Sequence, residues 1–580
     1  RDGLTALSPS DPMDGQRAVS HAGWRALLQD GLLAGLWLDG AEVLRGLAHP
    51  ARDPDWATWP EETLSETVEE EVGALCVRRR FLTAGGGLEG RFSLRLAPDG
   101  EARAELAMRA LADLRLNRAG FMALHPIRDE AGADLRVEHP DGTATLTAFP
   151  TRISPAQPVR NVAALAYETP SLALRLAFKG DVFEMEDQRN WSDASFKTYC
   201  RPLARPRPYD VRQGTEWRQA VGISARRGSP ARGAEPAAEL AAIGEAGLMP
   251  RVALATEPGW GWRSGARHAL WLDLRGTGGE WPRGVGPGAV EIEAVVGDEA
   301  AEAEAQLRAL ARRLDEAGLA ATHVTALPAA YLRSHQPEGP WPAGLSPAIA
   351  VELTRRAFPG TAAGGGVLTN FAELNRPPDS LAQTDFVTYA TTAIVHAADD
   401  GSVMQTPEAL AQIHRSAAES HPGRPLRLGF LVIGMRSNPY GAATVPNPGR
   451  SRLAMAMDDP RHDGDFGAAF AVAAVAATEG TPVERLCLGA PDGPFALRRD
   501  GADTPLGAVW RRLAQAEGRP RLKTRHPDGV AAVLWRDPQG EATGLIANLG
   551  PAPRVLPLVP GRARLDLPGH AVRLLDGSAP

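Results

Sequence analysis

Hydrophobic and polar positions alternate along the first part of the chain, from about residue 20 to residue 220. Segments such as 32–38, 101–108 and 172–178 place apolar side chains at every second position, which is typical of half-buried β-strands. Turn sequences rich in Gly, Pro and Asp separate these segments. Many short strands at regular spacing predict a large N-terminal β-sandwich, which we assign to residues 1–235.

From about residue 245 the pattern changes to continuous apolar runs that alternate with helical stretches. Continuous apolar runs are typical of parallel strands that are buried on both faces. There are eight such runs, at residues 249–255, 268–274, 289–296, 322–327, 364–371, 385–391, 426–433 and 483–489. Helical patterns lie between several of them, at 301–317, 347–358, 407–420, 466–478 and 506–517. Eight strands over about 280 residues predict a (β/α)8 barrel of the TIM type, which we assign to residues 236–525.

A doubly wound open sheet is the alternative fold for this central region. No GxGxxG motif follows any of the runs, and its absence favours the barrel. The final residues, 526–580, return to short strands separated by turns and predict a small C-terminal β appendage. The expected fold class is therefore α/β plus β, with three domains in the order sandwich, barrel and β-strand domain.

Composition and charge exclude several classes of protein. With 43% hydrophobic and 23% charged residues, the 580-residue chain has the balance of a globular protein. A net charge of -7 without a basic cluster argues against nucleic acid or an anionic membrane as a partner. No apolar run approaches the ~20 residues of a spanning helix, and the first residues lack the apolar core of a signal peptide. We therefore expect a cytoplasmic protein, whose oligomeric state the sequence leaves open.

Several common catalytic motifs are missing from the chain. It contains no HExxH, CxxC, P-loop or GxSxG sequence, which excludes zinc proteases, nucleotide hydrolases and serine esterases of the usual design. The three cysteines lie far apart and match no zinc spacing, so we expect neither a metal nor another cofactor. Retaining glycosidases on this barrel commonly carry a glutamate after the fourth and the seventh strand. Neither run ends in a carboxylate here, which argues against an ordinary retaining glycosidase.

Polar residues follow the fifth, sixth and seventh runs of the predicted barrel, where the active site of such a fold lies. Each residue has a structural interpretation as well: Glu373 could cap a helix, and His396 could complete a hydrogen bond at the rim. Together they predict a pocket for a small polar substrate. The candidates at this rim are Asn370, Glu373, His396, Arg436, Asn438 and Tyr440.

The densest group of reactive side chains lies outside the barrel, in residues 183–199. It offers carboxylates for proton transfer, cations for an oxyanion and a tryptophan face for a sugar ring. The alternative is a buried ion-pair network that joins the sandwich to the barrel, and such a segment could also complete the barrel's pocket. The candidates are Glu186, Asp187, Arg189, Asn190, Trp191, Asp193, Lys197 and Tyr199.

Rare residue types also concentrate in these segments. Only three of the 63 basic residues are lysines, which indicates a coding bias toward arginine. Arginine and lysine differ in shape and hydration, so a retained lysine can mark a place where the exchange is harmful. Lys197 is one of the three, and it lies in the 183–199 segment.

Three motifs in the chain resemble a known family. EMEDQRNWSDASFKTY at 184–199, NRAGFMALHP at 117–126 and TNFAELNR at 369–376 are similar to the D-apionate lactonases, bacterial enzymes of branched-pentose catabolism. The resemblance runs through most of the chain. It implies a hydrolase that opens the lactone of an oxidised apiose, and it transfers no catalytic residues.

The leading hypothesis is hydrolysis of a small sugar-derived lactone. We expect Glu186 or Asp187 to activate water as the base and Glu373 to protonate the leaving oxygen. Arg189 and Lys197 are expected to stabilise the oxyanion. The residues expected to hold the substrate are Asn190, Trp191, Asp193, Tyr199, Asn370, His396, Arg436, Asn438 and Tyr440. Two alternatives stay open: a glycoside hydrolase that uses a carboxylate pair from sandwich and barrel, and a carbohydrate-binding protein without activity.

Overall fold

The computed structural model describes residues 15–29, 32–228, 239–276, 280–559 and 564–575. These residues form two compact units. The first contains residues up to 188 together with 194–228, and the second contains 189–193 together with the residues from 239 onwards. The pentapeptide Arg189–Asp193 thus belongs to a different unit from the strands on either side of it.

The first unit contains two nine-stranded antiparallel sheets, as the alternating pattern predicts. One sheet contains Arg17–His21, Trp24–Gln29, Leu32–Leu38, Ala41–Leu44, Gly46–Ala48, Met122–His125, Val159–Val162, Phe183–Asp187 and Phe196–Cys200. The other contains Glu62–Glu71, Ala74–Thr83, Leu88–Leu96, Glu101–Ala110, Asp134–Glu138, Ala144–Ala148, Ala164–Glu168, Leu172–Lys179 and Glu216–Arg227. Two short strand pairs, Ala51–Arg52 with Arg118–Ala119 and Leu114–Leu116 with Tyr209–Val211, complete the unit.

The two sheets pack face to face around a shared core. In Glu101–Ala110 the exposed and buried side chains alternate, because successive side chains of a strand point to opposite faces. Trp24 of the first sheet donates its ring N–H to the Ala97 carbonyl at 3.0 Å, beside a strand of the second. The His125 ring also lies edge-on to Tyr167 of the second sheet, 6.2 Å between centroids. The predicted β-sandwich is confirmed.

The second unit contains a closed barrel of eight parallel strands. Each strand coincides with one of the eight apolar runs, because barrel strands are buried by side chains inside and by helices outside. The strands are β1 (Arg251–Thr256), β2 (His268–Asp273), β3 (Gly288–Val296), β4 (Leu319–Pro328), β5 (Ala362–Asn370), β6 (Phe386–Thr392), β7 (Leu426–Val432) and β8 (Val483–Cys487). β8 pairs with β1 and closes the barrel, so the predicted TIM-type fold is confirmed.

Among the described residues, six α-helices accompany the barrel: α1 (Ala300–Glu316), α2 (Pro347–Ala357), α3 (Phe371–Leu374), α4 (Asp400–Ser420), α5 (Asp465–Ala476) and α6 (Pro505–Ala516). In the described parts of the first two connections, after β1 and β2, no helix is found. The prediction that α4 begins at Pro407 is wrong. The helix begins at Asp400, where the Asp399 side chain accepts the Ser402 N–H, and Pro407 lies inside it. None of the helices in the described ranges combines the length and apolar character needed to cross a membrane.

The C-terminal sheet has seven strands and takes residues from both ends of the region assigned to the barrel. Its strands are Leu240–Leu248, Pro520–Arg525, Val530–Arg536, Ala542–Asn548, Arg554–Val559, Arg564–Leu567 and Val572–Leu575. The predicted boundary at 525/526 therefore divides one sheet, since Pro520–Arg525 pairs with Val530–Arg536. Helix α5 is buried almost all round because it packs against this sheet as well as the barrel. A final short pair, Arg498–Arg499 with Ala502–Asp503, follows β8.

Candidate active site

An arginine held by two carboxylates lies at the C-terminal mouth of the barrel. Arg436, in the connection after β7, donates through Nε to Glu257 at 2.8 Å and through Nη1 to Glu293 at 3.2 Å. Glu257 directly follows β1 and Glu293 is part of β3, so the three side chains meet from separate strands. The guanidinium carbon lies 5.3 Å from the centre of the Trp271 ring on β2, within cation–π range. Arg436, Glu257 and Glu293 thus form a layer of charged side chains at the mouth of the barrel, here called the charged floor.

The third nitrogen of Arg436 is available to a ligand. Its Nη2 is buried and has no hydrogen-bond partner among the residues that the structure describes. Burying a donor without a partner is costly, so this atom is a candidate position for a ligand contact. Glu257, with 27% of its side chain exposed, is closer to solvent than Glu293 with 6%. Nη2 is therefore a candidate donor for an oxygen atom of a ligand.

Below this floor, charged residues continue into the barrel interior. Glu291 of β3 accepts from Arg427 at 2.5 Å and from Arg485 at 2.6 Å, and all three side chains are buried. Burial alone raises the pKa of Glu291, but Arg485 and Arg427 outweigh it and hold the net pKa below its ordinary value. These ion pairs fill the space that apolar layers occupy in many barrels.

An imidazole and a carboxylate face each other at the rim beyond β6. His396 Nδ1 lies 2.6 Å from Asp193 Oδ2. In a neutral imidazole that donates to a carboxylate through Nδ1, Nε2 carries the lone pair. No described residue hydrogen-bonds to Nε2, and 29% of the His396 side chain is exposed. This is the arrangement in which a carboxylate fixes the tautomer of a general base.

The pentapeptide that carries Asp193 is attached to the barrel at several points. The Trp191 ring lies edge-on to His396 at 5.5 Å and faces the Arg376 guanidinium at 5.1 Å. Asn190 accepts from Asn375 Nδ2 at 2.8 Å. Arg189, which is fully buried, donates to Gln412 of α4. The predicted substrate ligands Arg189, Asn190, Trp191 and Asp193 therefore lie with His396, as one group in the barrel unit.

Glu373, at the third position of α3, has a structural role and one unused oxygen. Its Oε2 accepts from the Asn370 N–H at 3.0 Å, forming the capping box that begins α3. Its Oε1 is buried without a hydrogen-bond partner in the described part of the chain, with Ser334 and Thr369 nearby. Burial raises the pKa of Glu373, which favours the protonated acid. Glu373 also lines a cavity of about 20 Å³, room for one water molecule.

The other predicted ligands after β5 and β7 have mixed environments. The Tyr440 hydroxyl and Asn370 Nδ2 are buried polar atoms, and neither has a partner among the described residues. Burial raises the pKa of Tyr440, so its hydroxyl stays neutral and can donate. Asn438 instead accepts from the Tyr440 N–H at 3.0 Å and donates to the Ala443 carbonyl at 2.8 Å. Asn438 therefore shapes its own turn and places Tyr440.

The remaining predicted residues belong to the sandwich unit. Glu186 and Lys197, on neighbouring strands, form a buried ion pair. Burial lowers the pKa of Lys197, and Glu186 partly opposes that shift. Asp187 accepts the Ser154 N–H at 3.0 Å, and Tyr199 donates to Glu184 at 2.6 Å. The predicted pairing of Glu186 or Asp187 with Glu373 stays a prediction.

Comparison with known proteins identifies the family. Residues 5–228 match the N-terminal domain of D-apionate lactonase, and residues 285–518 match its TIM barrel domain. The D-apionate lactonase of Brucella anthropi is 34% identical over 541 residues, which cover 87% of this chain and 88% of that relative. The chain belongs to the D-apionate lactonase family.

Solved structures resemble this D-apionate lactonase family member only distantly. A putative aldose 1-epimerase from Escherichia coli K12 is 11% identical, with a TM-score of 0.25, and covers 37% of this chain and 99% of its own. A GH36 α-galactosidase from Geobacillus stearothermophilus in complex with raffinose is 10% identical, with a TM-score of 0.26, over 96% of this chain and 99% of its own. Similarity at this level carries no functional information.

Two residues of the site in this D-apionate lactonase family member escaped sequence analysis. Glu257 directly follows the first apolar run, so the rule that located His396 and Arg436 also points to it. Glu293 lies inside the run 289–296, where a strand interior is expected to be apolar, and no local signal marks it. Within the described ranges, no group of three or more His, Cys, Asp or Glu side chains is arranged to hold a metal ion.

Proposed function

We propose that this protein hydrolyses a small sugar-derived lactone, D-apionolactone to D-apionate, in carbohydrate catabolism. One observation carries the substrate class: the relative named D-apionate lactonase matches 87% of the chain at 34% identity. The barrel mouth supports the reaction type, because it combines a buried donor, a buried carboxylic acid and an imidazole. Hydrolysis of a lactone needs three functions: a donor that stabilises the carbonyl oxygen, an acid that protonates the leaving oxygen and a base that activates water.

Arg436 and Glu373 fit two of these functions. Arg436 Nη2 is a donor that is already desolvated, and such donors stabilise a developing oxyanion strongly. Glu373 has a raised pKa, so it can carry the proton that the departing ring oxygen needs. Asn370 and Tyr440 add two buried polar atoms that can hold hydroxyl groups of the sugar acid.

The reaction also suggests a cellular location. We propose that it takes place in the cytoplasm, where small sugar acids are consumed. All three cysteines, Cys76, Cys200 and Cys487, are free thiols and buried, which is compatible with a reducing compartment.

A panel of substrates tests the proposed function. D-Apionolactone, several aldonolactones and several aryl glycosides are offered to the purified full chain, with acid release and chromophore release as readouts. We expect acid release from lactones, with the highest kcat/KM for D-apionolactone. If the protein hydrolyses only another lactone, that lactone is assigned as the substrate in place of D-apionolactone. If it hydrolyses no lactone, the proposal is contradicted.

Glycoside hydrolysis is the second candidate function. Glu257 and Glu293 favour it, because they bring two carboxylates to the barrel mouth around one arginine. Paired carboxylates are the usual groups of glycosidases. Chromophore release from an aryl glycoside, without acid release from lactones, would support this candidate over the lactonase.

A further inference from the structure

His396 occupies the position of a general base in the barrel rim. We infer that His396 is the catalytic residue that activates the hydrolytic water, and that Asp193 is its positioning residue. This inference rests on the proposed lactonase function and deepens it. It replaces the sequence-based expectation that Glu186 or Asp187 is the base and that His396 only holds a hydroxyl group.

The geometry of the pair supports this role. The 2.6 Å contact between Asp193 Oδ2 and His396 Nδ1 fixes the ring and its tautomer. The Trp191 ring packs edge-on against the imidazole at 5.5 Å and limits its rotation. Since 29% of the His396 side chain is exposed, solvent reaches the imidazole.

The other candidate carboxylates are poorer candidates for the base because cations or backbone donors contact them. Glu186 is paired with the buried Lys197, and Asp187 accepts the Ser154 N–H. Glu257 and Glu293 both accept from Arg436. All four carboxylates are thus already engaged by donors of the protein.

The order of strands also brings the three proposed functions together. Glu373 follows β5, His396 follows β6 and Arg436 follows β7. Strands β5, β6 and β7 are hydrogen-bonded neighbours in the barrel, so their carboxyl ends lie side by side. In strand order, His396 thus lies between Glu373 and Arg436.

The proposed reaction balances as a simple ring opening. His396 Nε2 takes a proton from water while the water oxygen bonds to the lactone carbonyl carbon, and the carbonyl π electrons move to the oxygen facing Arg436. As the carbonyl re-forms, the ring C–O bond breaks and the leaving oxygen takes the proton of Glu373. The new carboxylic acid ionises and returns a proton to Glu373, and His396 releases its proton to solvent. Lactone and water become a hydroxy acid anion and one proton.

Kinetics of conservative variants test the inference. We expect His396→Gln and Asp193→Asn to lower kcat for the preferred lactone by about 10²–10⁴-fold, the usual contribution of a general base. His526→Gln is the matched control, because His526 lies in the C-terminal sheet region and bonds only locally. It should retain wild-type kinetics. Thermal unfolding of each variant shows whether the fold is intact.

The pH profile separates catalysis from a merely structural role. Without its base, His396→Gln should hydrolyse lactone at a rate proportional to hydroxide concentration, so its deficit shrinks as pH rises; a structural defect leaves the deficit constant. If wild-type protein is active and His396→Gln stays within a few-fold of it, the inference is wrong and the proposed function stands. If Glu186→Gln or Asp187→Asn abolishes turnover while His396→Gln does not, then Glu186 or Asp187 is the base, as the sequence predicts. If wild-type protein opens no lactone, the proposed function fails and the inference with it.

Discussion

Lys197 is buried, whereas the other two lysines, Lys179 and Lys523, are exposed. Its ammonium group pairs with Glu186, and the guanidinium groups of Arg118 and Arg52 are close enough to lower its pKa further. A guanidinium group is larger and planar, so placing it at this buried position would displace neighbouring side chains. The structure therefore explains why a chain rich in arginine keeps lysine at this position.

Replacement of Lys197 by arginine tests this explanation. We expect Lys197→Arg to reduce the free energy of unfolding by about 1–3 kcal/mol, the usual cost of overfilling a packed site. Lys523→Arg is the control at an exposed position and should be neutral. Urea denaturation of both variants measures the difference, and equal stability would show that the lysine at 197 is a chance retention.

Arg436 is the residue whose removal most directly affects the proposed oxyanion. We expect Arg436→Gln to lower kcat by about 10²–10³-fold, the range found when an oxyanion donor is lost. Arg450→Gln, in the same connection and paired with Asp458 and Asp463, is the control and should keep its kcat. A rise in KM with unchanged kcat would show that Arg436 binds the substrate without stabilising the transition state.

At the scale of elements, the backbone conformation of β5 positions part of the candidate site. Gly366 has φ of +116°, and a Cβ atom there would lie 2.2 Å from the Thr388 carbonyl oxygen of β6. The pairing of β5 with β6 shifts register between Gly366 and Asn370. This irregularity precedes Asn370 and the capping box of α3, so it sets the position of Glu373.

A glycine pair tests the contribution of this irregularity. Gly366→Ala combines a disfavoured φ with a clash against backbone, so we expect it to destabilise the barrel by more than the ~1–3 kcal/mol of a strained φ alone. Gly360→Ala is the matched control, with φ of +79° and no atom within 4 Å of the added Cβ. Denaturant unfolding measures both variants, and a loss in Gly366→Ala no larger than that in Gly360→Ala would contradict the clash.

The barrel strands could be predicted from sequence because burial on both faces leaves an apolar run. The strand Leu240–Leu248 could not, because much of it is exposed and its alternation is broken by glycines. Its neighbours in the C-terminal sheet come from the far end of the chain, which no local pattern reveals. The start of α4 was missed since Pro407 usually marks the first turn of a helix, whereas Asp399 caps this one earlier.

In the candidate site as well, sequence predicts some features and misses others. His396 and Arg436 could be predicted because the residue after a barrel strand lies at the rim. The pairs that they form could not be predicted: Asp193, itself a candidate, lies 203 residues away from His396 in sequence, and Glu257 lies 179 residues away from Arg436. Spatial pairs of this kind depend on the completed fold, so sequence identifies the reactive groups and structure identifies which of them act together.

At the scale of the whole molecule, buried ionisable groups make stability depend on pH. Burial raises the pKa of Glu130 in the sandwich from 4.5 to about 8, and its Oε2 has no partner among the described residues. Between about pH 4.5 and pH 8, Glu130 therefore keeps its proton in the folded state and loses it in the unfolded chain. This contribution is fully present below about pH 4.5 and disappears as pH rises toward about 8.

The variant Glu130→Gln isolates this contribution. We expect the wild-type protein to lose up to about 4–5 kcal/mol of stability between pH 4.5 and pH 8 from this group, since each unit of pKa corresponds to about 1.4 kcal/mol. Glu130→Gln should remove that loss, and the exposed Glu105→Gln should retain it. Denaturation at several pH values checks this, and an unchanged slope in Glu130→Gln would mean that Glu130 ionises normally.

Chemical rescue tests the central claim, that His396 activates water for lactone hydrolysis, most directly. The preferred lactone is incubated with His396→Ala with and without added imidazole, and the hydrolysis that imidazole causes without enzyme is subtracted. We expect imidazole to restore turnover in a saturable way, because it can occupy the space beside Asp193 and accept the proton of water. His526→Ala should be active without imidazole and unaffected by it. Wild-type turnover by His396→Ala alone, or no response to imidazole, would contradict the account.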